Sequence, residues 1–472
     1  MAVPDTNEPA DLGQPGNGRG AVQPELTPKA RSFLRRMTAA TGGGMFIDGF
    51  IFATFASALA GRAVDELHIT SFWESMISSS VLFGTFFGGI FLGYVTDKIG
   101  RKPMFTIDLC VFAGCSILLF FVTAPWQFFT LGIVMGLAVG ADYSIGSPLL
   151  GEFARAKHRG NFLGVLEILW NVGYVIAYII GYIINTYAPG SWRITLACSV
   201  VPAVVCLVMR HGLPESPRWL ISKGHREEAL AILRDAMDSN HPGDVANEVE
   251  DKTRWTLLFT RAYIRRTLFS GLFWSAIVLP YFALTFFQPD ILRQIGLGSA
   301  SLLGALLGTI IALIGATLGW YLVDRVGRRK ILIPPMFACA IFLLLAAAYQ
   351  HMPVALGAIC FFGYLFSYGI MSILTGILPE EVFPSSVRAS GVGVSTAMSR
   401  LAAAIGTFGL PYVQGWFGTP VVLIIMGVVS LGGGILCWAW APETNGREIT
   451  ETSHRVDPNQ HRKQPASVGA GA

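Results

Sequence analysis

Twelve stretches of mainly apolar residues recur along the chain, separated by short polar or basic connections. They fall near 38–60, 73–94, 103–123, 126–152, 160–186, 193–210, 267–290, 301–323, 331–350, 353–378, 390–413 and 419–440. A helix needs about 20 residues to cross roughly 30 Å of hydrocarbon, so each stretch predicts one membrane-spanning helix. Helices are the required form, because a backbone without internal hydrogen bonds is not tolerated in lipid. The even count puts both termini on one side.

Charge in the connections sets that side. One set carries Lys98, Arg101 and Lys102, then Arg155, Lys157 and Arg159, then Arg325, Arg328, Arg329 and Lys330. The other set carries Arg62, Arg193 and Arg293. With Arg400 set aside inside span 11, every other Lys and Arg falls on the first side. Basic connections face the cytoplasm, so both termini are expected there, in a cell inner (plasma) membrane.

Composition agrees with a membrane chain. Of its 472 residues 53% are hydrophobic and 14% charged, and the mean hydropathy is +0.54. Soluble domains carry about 25% charged residues. The net charge of +4 is a topology signal, and no nucleic-acid partner is expected. Cys110, Cys115, Cys198, Cys206, Cys339, Cys360 and Cys437 all fall inside apolar spans with no CxxC pair. They read as small buried hydrophobes, with neither a disulfide framework nor a metal site.

The chain is written twice. Asp97-Lys98-Ile99-Gly100-Arg101 after span 2 returns as Asp324-Arg325-Val326-Gly327-Arg328 after span 8, 227 residues on. Glu152 with Arg159 after span 4 returns as Glu381 with Arg388 after span 10, and Pro214-Glu215-Ser216 returns as Pro442-Glu443-Thr444. Three unrelated motifs share one offset within a residue. The predicted fold is an all-α membrane protein of twelve helices in two pseudo-symmetric six-helix bundles. The expected division is a disordered cytoplasmic tail (1–37), an N-terminal bundle (38–220), a cytoplasmic connector (221–263), a C-terminal bundle (264–446) and a second tail (447–472). An even number of spans per half makes the repeat parallel, an arrangement seen in transporters with a midplane site between halves.

The acidic and basic residues of these motifs lie at matched depths. Asp97, Arg101, Glu152, Arg159 and Glu215, with their counterparts Asp324, Arg328, Glu381, Arg388 and Glu443, can latch the halves when the cytoplasmic side is closed. Helix-end partial charges add to this. Asp108 and Glu167, nearer the cytoplasmic ends of their spans, are read as part of the same latch. Gly42 to Gly44, Gly84, Gly88, Gly89 and Gly93 read as packing positions where helices approach closely.

Three charges sit far from any helix end. Asp48 lies in span 1, Asp142 in span 4 and Arg400 in span 11, each roughly 15–18 Å deep at about 1.5 Å per residue. A charge there costs about 2.5–3.5 kcal/mol or more unless it faces water or a partner. Burial disfavours the charged form of a carboxylate, the property that proton loading and release require. Asp48 and Asp142 are therefore the proton-coupling candidates, with a static ion pair to Arg400 as the plainer alternative. Arg400 is the candidate anchor for an anion, because its planar fork donates two parallel hydrogen bonds. The repeat sets Ala276, Met371 and Asn171 opposite these three, so both acids belong to the first half and the base to the second. Tyr143, Trp170, Asn171, Trp274, Tyr281, Gln288, Tyr364 and Tyr368 are the further candidates for lining a substrate site.

The segments GYVTDKIGRK (93–102), GWYLVDRVGRRK (319–330), PESPRWL (214–220), PEEVFPSSVRASG (379–391) and PETNGRE (442–448) together resemble the major facilitator superfamily, in its sugar-and-other transporter branch. The resemblance runs from about residue 40 to 448. It implies secondary transport by alternating access, with a small-molecule substrate and protons as partners and the proton gradient in place of a cofactor. Sugar porters of this branch usually carry a Gln-Gln…Gly-x-Asn pattern in span 7, where this chain reads FWSAIVLPYFALTFFQPD. They also tend to carry an Arg where this chain has Gly132, and a Trp where it has Gly376. The Asp142-Tyr143 pair resembles that of metabolite and phosphate proton symporters. Phosphate symporters have a further Asp at the place of Val278. An Arg in span 11 is similar to that of organic-anion carriers.

The expectation is a monomeric proton-coupled symporter for a small organic anion, such as a mono- or aromatic carboxylate. A sugar or polyol:proton symporter is the alternative, followed by a phosphate symporter, a proton-driven exporter and a non-transporting sensor. No Ser-His-Asp arrangement, metal cluster or phosphate loop can be assembled, so an enzyme is not expected.

Overall fold

The structure is a computed structural model that describes residues 27–153, 159–237, 255–261, 263–383 and 387–444. Its twelve long elements are α1 (Pro28–Leu59), α2 (Ser71–Ile99), α3 (Arg101–Phe120), α4 (Pro125–Phe153), α5 (Arg159–Tyr187) and α6 (Trp192–Ala197 continued by Val200–Arg210), then α7 (Ile264–Phe286), α8 (Ser301–Val326), α9 (Arg328–Ala346), α10 (Val354–Ser372 continued by Leu374–Val382), α11 (Arg388–Phe417) and α12 (Thr419–Trp440). Two short helices, Pro217–Ser222 and Arg226–Met237, follow α6.

The helix ends follow from local chemistry. Pro28 occupies the first turn of α1, and the Thr27 hydroxyl accepts from the Ala30 N–H at 3.2 Å. This cap starts α1 ten residues before the expected boundary, so 28–37 belong to the first helix and not to the tail. Residues 1–26 of that tail, 238–254 and 262 of the expected connector, and 445–472 lie outside the described residues. At the turns between α2 and α3 and between α8 and α9, Gly100 and Gly327 take φ of 109° and 97°. Glycine adopts this region without the Cβ penalty, and the chain can reverse there within one residue.

Polar and apolar surfaces are inverted relative to a soluble protein. Phe91, Leu118, Val208, Ile341, Ile405 and Trp438 point outward, while Asp48, Asp108, Asp142, Arg210 and Arg400 are buried. Five of the seven cysteines are buried as expected, whereas Cys198 is half-buried and Cys110 is exposed on the outer face of α3.

Within the halves α1 packs on α5 and α2 on α4, repeated as α7 on α11 and α8 on α10; across the halves α2 meets α11 and α5 meets α8. The contacts inside each half depend on glycine. A Cβ on Gly49 would stand 2.0 Å from the Trp170 carbonyl oxygen, and one on Gly84 2.3 Å from that of Ile133. Backbone against backbone gives the close van der Waals packing that holds membrane helices where lipid removes the hydrophobic drive.

Candidate functional site

Arg210 closes α6, and its side chain turns inward. Its Nη2 donates to Asp142 Oδ1 at 2.7 Å and its Nη1 to Asp108 Oδ2 at 3.3 Å. Nε donates to the Ala40 carbonyl at 3.1 Å, and the guanidinium lies 4.1 Å from the centre of the Phe105 ring. Four helices, α1, α3, α4 and α6, thus converge on one cation. Gly44 leaves room for it, since a Cβ there would stand 2.1 Å from both Arg210 Nη2 and Asp142 Oδ2. On α1, one turn beyond Gly44, Asp48 is 0% exposed and neither of its carboxyl oxygens has a hydrogen-bond partner.

Three expectations change here. Arg210 falls among the Lys and Arg expected on the cytoplasmic side; it is instead 6% exposed, with its charge spent inside the N-terminal half. Asp108 was assigned to the latch, but its Oδ2 accepts from Arg210 and it is 1% exposed. Nor does Asp142 pair with Arg400: its described partner is Arg210. The signal that could have revealed Arg210 was the imbalance of acids in the first half, which demands a base on the same side.

Arg400 is 3% exposed on α11 and sits at the seam between halves. Its guanidinium lies 4.7 Å from the Tyr143 ring centre on α4 and 5.5 Å from that of Phe282 on α7, while its Nε has no partner. An aromatic layer joins the halves beside it. Phe52 of α1 packs on Phe282 at 4.8 Å, and Trp170 of α5 meets Tyr281 of α7 at 6.1 Å. The Tyr281 and Tyr368 rings stack at 3.8 Å and 5°. Phe52 and Phe282 were not expected from the sequence; phenylalanines in apolar spans carry no distinguishing signal.

The remaining candidates divide. Trp170 is buried with its Nε1 unpartnered, as is the Tyr364 hydroxyl. Asn171 donates from Nδ2 to the Glu167 carbonyl one turn back. Trp274 is buried two turns before Tyr281 on α7. Gln288 lies beyond α7 and donates to the Ala305 carbonyl at 3.3 Å, turned towards α8 of its own half. Glu167 does reach the opposite half, where a Cβ at Gly376 of α10 would stand 3.0 Å from its Oε1.

The cytoplasmic motifs cap helices. Glu215 Oε1 accepts from the Arg101 N–H at 3.0 Å and Oε2 from the Lys102 N–H at 3.1 Å. Glu443 repeats this on Arg328 and Arg329 at 3.0 and 3.2 Å. Carboxylates at helix N-termini satisfy unpaired N–H groups and meet the positive end of the dipole. Arg328 also binds Glu381 through Nη2 at 2.9 Å and Asp324 at 3.2 Å. The described pairs of Glu215, Arg328, Glu381 and Glu443 therefore tie helices within a half, not one half to the other. The side chains of Asp97, Glu152, Arg159 and Arg388 lie outside the described residues.

A profile described as "Sugar (and other) transporter" matches residues 35–455. The chain belongs to this family. Among relatives of this transporter, the inner membrane metabolite transport protein YgcS of Escherichia coli K12 is 36% identical over 436 residues, 91% of this chain and 96% of the relative. The putative metabolite transport protein YaaU of the same organism is 30% identical over 428 residues, 90% of this chain and 96% of the relative. The structure is similar to that of XylE, a proton:xylose symporter of the major facilitator superfamily, solved bound to 6-bromo-6-deoxy-D-glucose. The TM-score is 0.78 at 20% identity, covering 89% of this chain and 98% of that one. The fold is the twelve-helix one of that superfamily. The protein is a multi-pass membrane transporter of the sugar and metabolite class, not an enzyme.

Proposed function

We propose that this protein carries a small organic anion together with protons, taking up a carboxylate by alternating access. The observation that carries the reading is Arg400, a guanidinium buried at the seam between the halves with an unbonded N–H and an aromatic ring on two sides. A cation at that depth costs several kcal/mol to retain, and an anionic ligand that accepts from its unbonded Nε–H offsets part of that cost. Asp48 supports proton coupling. An ionised carboxyl with neither oxygen bonded is costly in a dry site, so Asp48 holds a proton until the cavity opens to water.

In this reading the transporter sits in an inner membrane with both termini in the cytoplasm, which the basic connections support, and works as a monomer. The proton gradient takes the place of a cofactor. A second reading, a sugar or polyol symporter, draws support from the ring surfaces of Trp170, Tyr281 and Tyr368 and from the unpartnered Trp170 Nε1 and Tyr364 hydroxyl, which suit a hydroxyl-rich ligand.

Uptake by reconstituted protein under an imposed proton gradient separates the two. Lactate, benzoate and gluconate are compared with xylose, glucose and phosphate, each against empty vesicles. Accumulation of a carboxylate and not of a sugar is the expected result. Accumulation of a sugar alone moves the second reading ahead.

A further inference from the structure

The N-terminal half holds three buried carboxyls and one guanidinium, and proton coupling by Asp48 and Asp142 leaves Asp108 and Arg210 without a role. Asp48, Asp108 and Asp142 are each no more than 1% exposed, and Arg210 is 6% exposed. One guanidinium compensates one carboxylate, so a cluster with all three acids ionised carries excess negative charge in a place without water. Such a cluster keeps protons.

Depth orders the three acids. Asp108 is seven residues from the cytoplasmic-motif end of α3 and Asp142 eleven residues from the matching end of α4, so they sit roughly 10 and 16 Å in. Asp48 lies beyond Asp142 on the α1 face that begins at Gly44. Arg210 bridges the lower pair, with a short bond to Asp142 (2.7 Å) and a longer one to Asp108 (3.3 Å). Asp142 Oδ2 is buried without a hydrogen-bond partner, so this carboxyl keeps one oxygen on which a proton can sit.

We propose that Asp108 is a third proton-carrying carboxyl, the last on the way to the motif-bearing side, and that Arg210 is the positioning residue that hands charge compensation between Asp142 and Asp108. The step balances. Neither Asp48 oxygen bonds a partner here, so its proton passes to the Asp142 carboxylate through water that enters as the cavity opens, leaving Asp48 ionised and Asp142 neutral. Asp142 then gives it to the Asp108 carboxylate, and Arg210, freed from Asp108, returns to its short bond with Asp142. Asp108 releases the proton to water when its end opens. The other titratable or charged groups that face the cluster are Cys206 on α6, Tyr143 on α4 and Arg400 on α11. The proposal rests on proton coupling in this half, and its test separates the two ideas.

The purified full-length protein is treated with dicyclohexylcarbodiimide, which attaches to protonated carboxyls in apolar surroundings, and adducts are mapped by mass spectrometry as pH is varied. Infrared pH-difference spectra are recorded for wild type, Asp48→Asn, Asp108→Asn and Arg210→Lys. The expected result is pH-dependent labelling of Asp108 in the wild type, loss of one titrating carboxyl band in Asp108→Asn, and a shifted pH midpoint of the remaining bands in Arg210→Lys. Labelling of Asp48 with none on Asp108 at any pH overturns the proposal and leaves proton coupling by Asp48 standing. So does an Asp108→Asn spectrum that keeps every band. If Asp48→Asn also loses no band and Asp48 takes no label, proton coupling itself fails. Should Asp108→Asn not fold, wild-type labelling decides alone.

Discussion

Arg210 Nη2 and Asp142 Oδ1 stand 2.7 Å apart in the interior of the N-terminal half, joining the end of α6 to the middle of α4. The pair explains how a carboxylate at that depth is tolerated, since attraction in low dielectric offsets desolvation only with close geometry and further bonds. It also explains why Gly44 cannot carry a side chain. Gly44→Ala is expected to lower stability by about 1–3 kcal/mol through overpacking. Gly114→Ala, where a Cβ meets nothing within 4 Å, is expected to be neutral or slightly stabilising. Thermal unfolding in detergent compares the two, and equal midpoints would remove the packing argument.

The two capping glutamates make a matched experiment. Glu215→Ala and Glu443→Ala each strip the bonds from two backbone N–H groups at a helix start, so each is expected to cost about 0.5–2 kcal/mol. Hydrogen exchange is expected to rise in the first turn of α3 for the first variant and of α9 for the second. Exchange that rises equally at both ends in both variants would mean that the motifs act between halves.

How much of this was legible in advance depends on what each residue signals locally. The twelve helices were visible because each is a continuous apolar run bounded by charge, and the duplication because three motifs share an offset. Asp48, Asp142 and Arg400 stood out against apolar neighbours. Arg210 did not, because it lies at the edge of a span four residues before Pro214, where basic residues ordinarily anchor loops. Its direction is fixed by tertiary contacts with Ala40, Phe105, Asp108 and Asp142, which no local pattern encodes. Gln288 erred the other way, standing near an apolar run yet turning to α8.

The loop between α1 and α2 gives a pH test away from the membrane interior. Trp192 Nε1 donates to Glu66 Oε2 at 2.8 Å and Arg193 Nη1 adds a bond at 3.1 Å. The indole bond, with Arg193 beside it, holds the Glu66 carboxyl below its ordinary value of 4.5. A group with a depressed folded-state value contributes stability above its unfolded value and loses it as pH falls through the folded one. Glu66→Gln is therefore expected to lower the melting temperature slightly at neutral pH and to match wild type well below pH 4.5. A difference that stays constant with pH would assign the effect to packing alone.

Asp48→Asn is expected to abolish substrate accumulation driven by a proton gradient while exchange of substrate across the membrane persists. The neutral amide mimics the protonated acid, so the carrier can still reorient loaded but cannot release a proton. Gradient-driven accumulation at the wild-type level in this variant would remove the proton from Asp48.

The most direct measurement of the central claim is the affinity of Arg400→Lys for whichever carboxylate the wild type accumulates, read by equilibrium binding to purified protein. Lysine keeps the charge but loses the two-pronged donor, and charge-assisted hydrogen bonds are worth about 1.5–3 kcal/mol. The account predicts a dissociation constant about ten- to a hundredfold higher than wild type, with Arg400→Ala weaker still and both variants correctly inserted. Wild-type affinity in both variants would contradict it, making Arg400 a structural cation and the bound ligand something other than an anion held at that site.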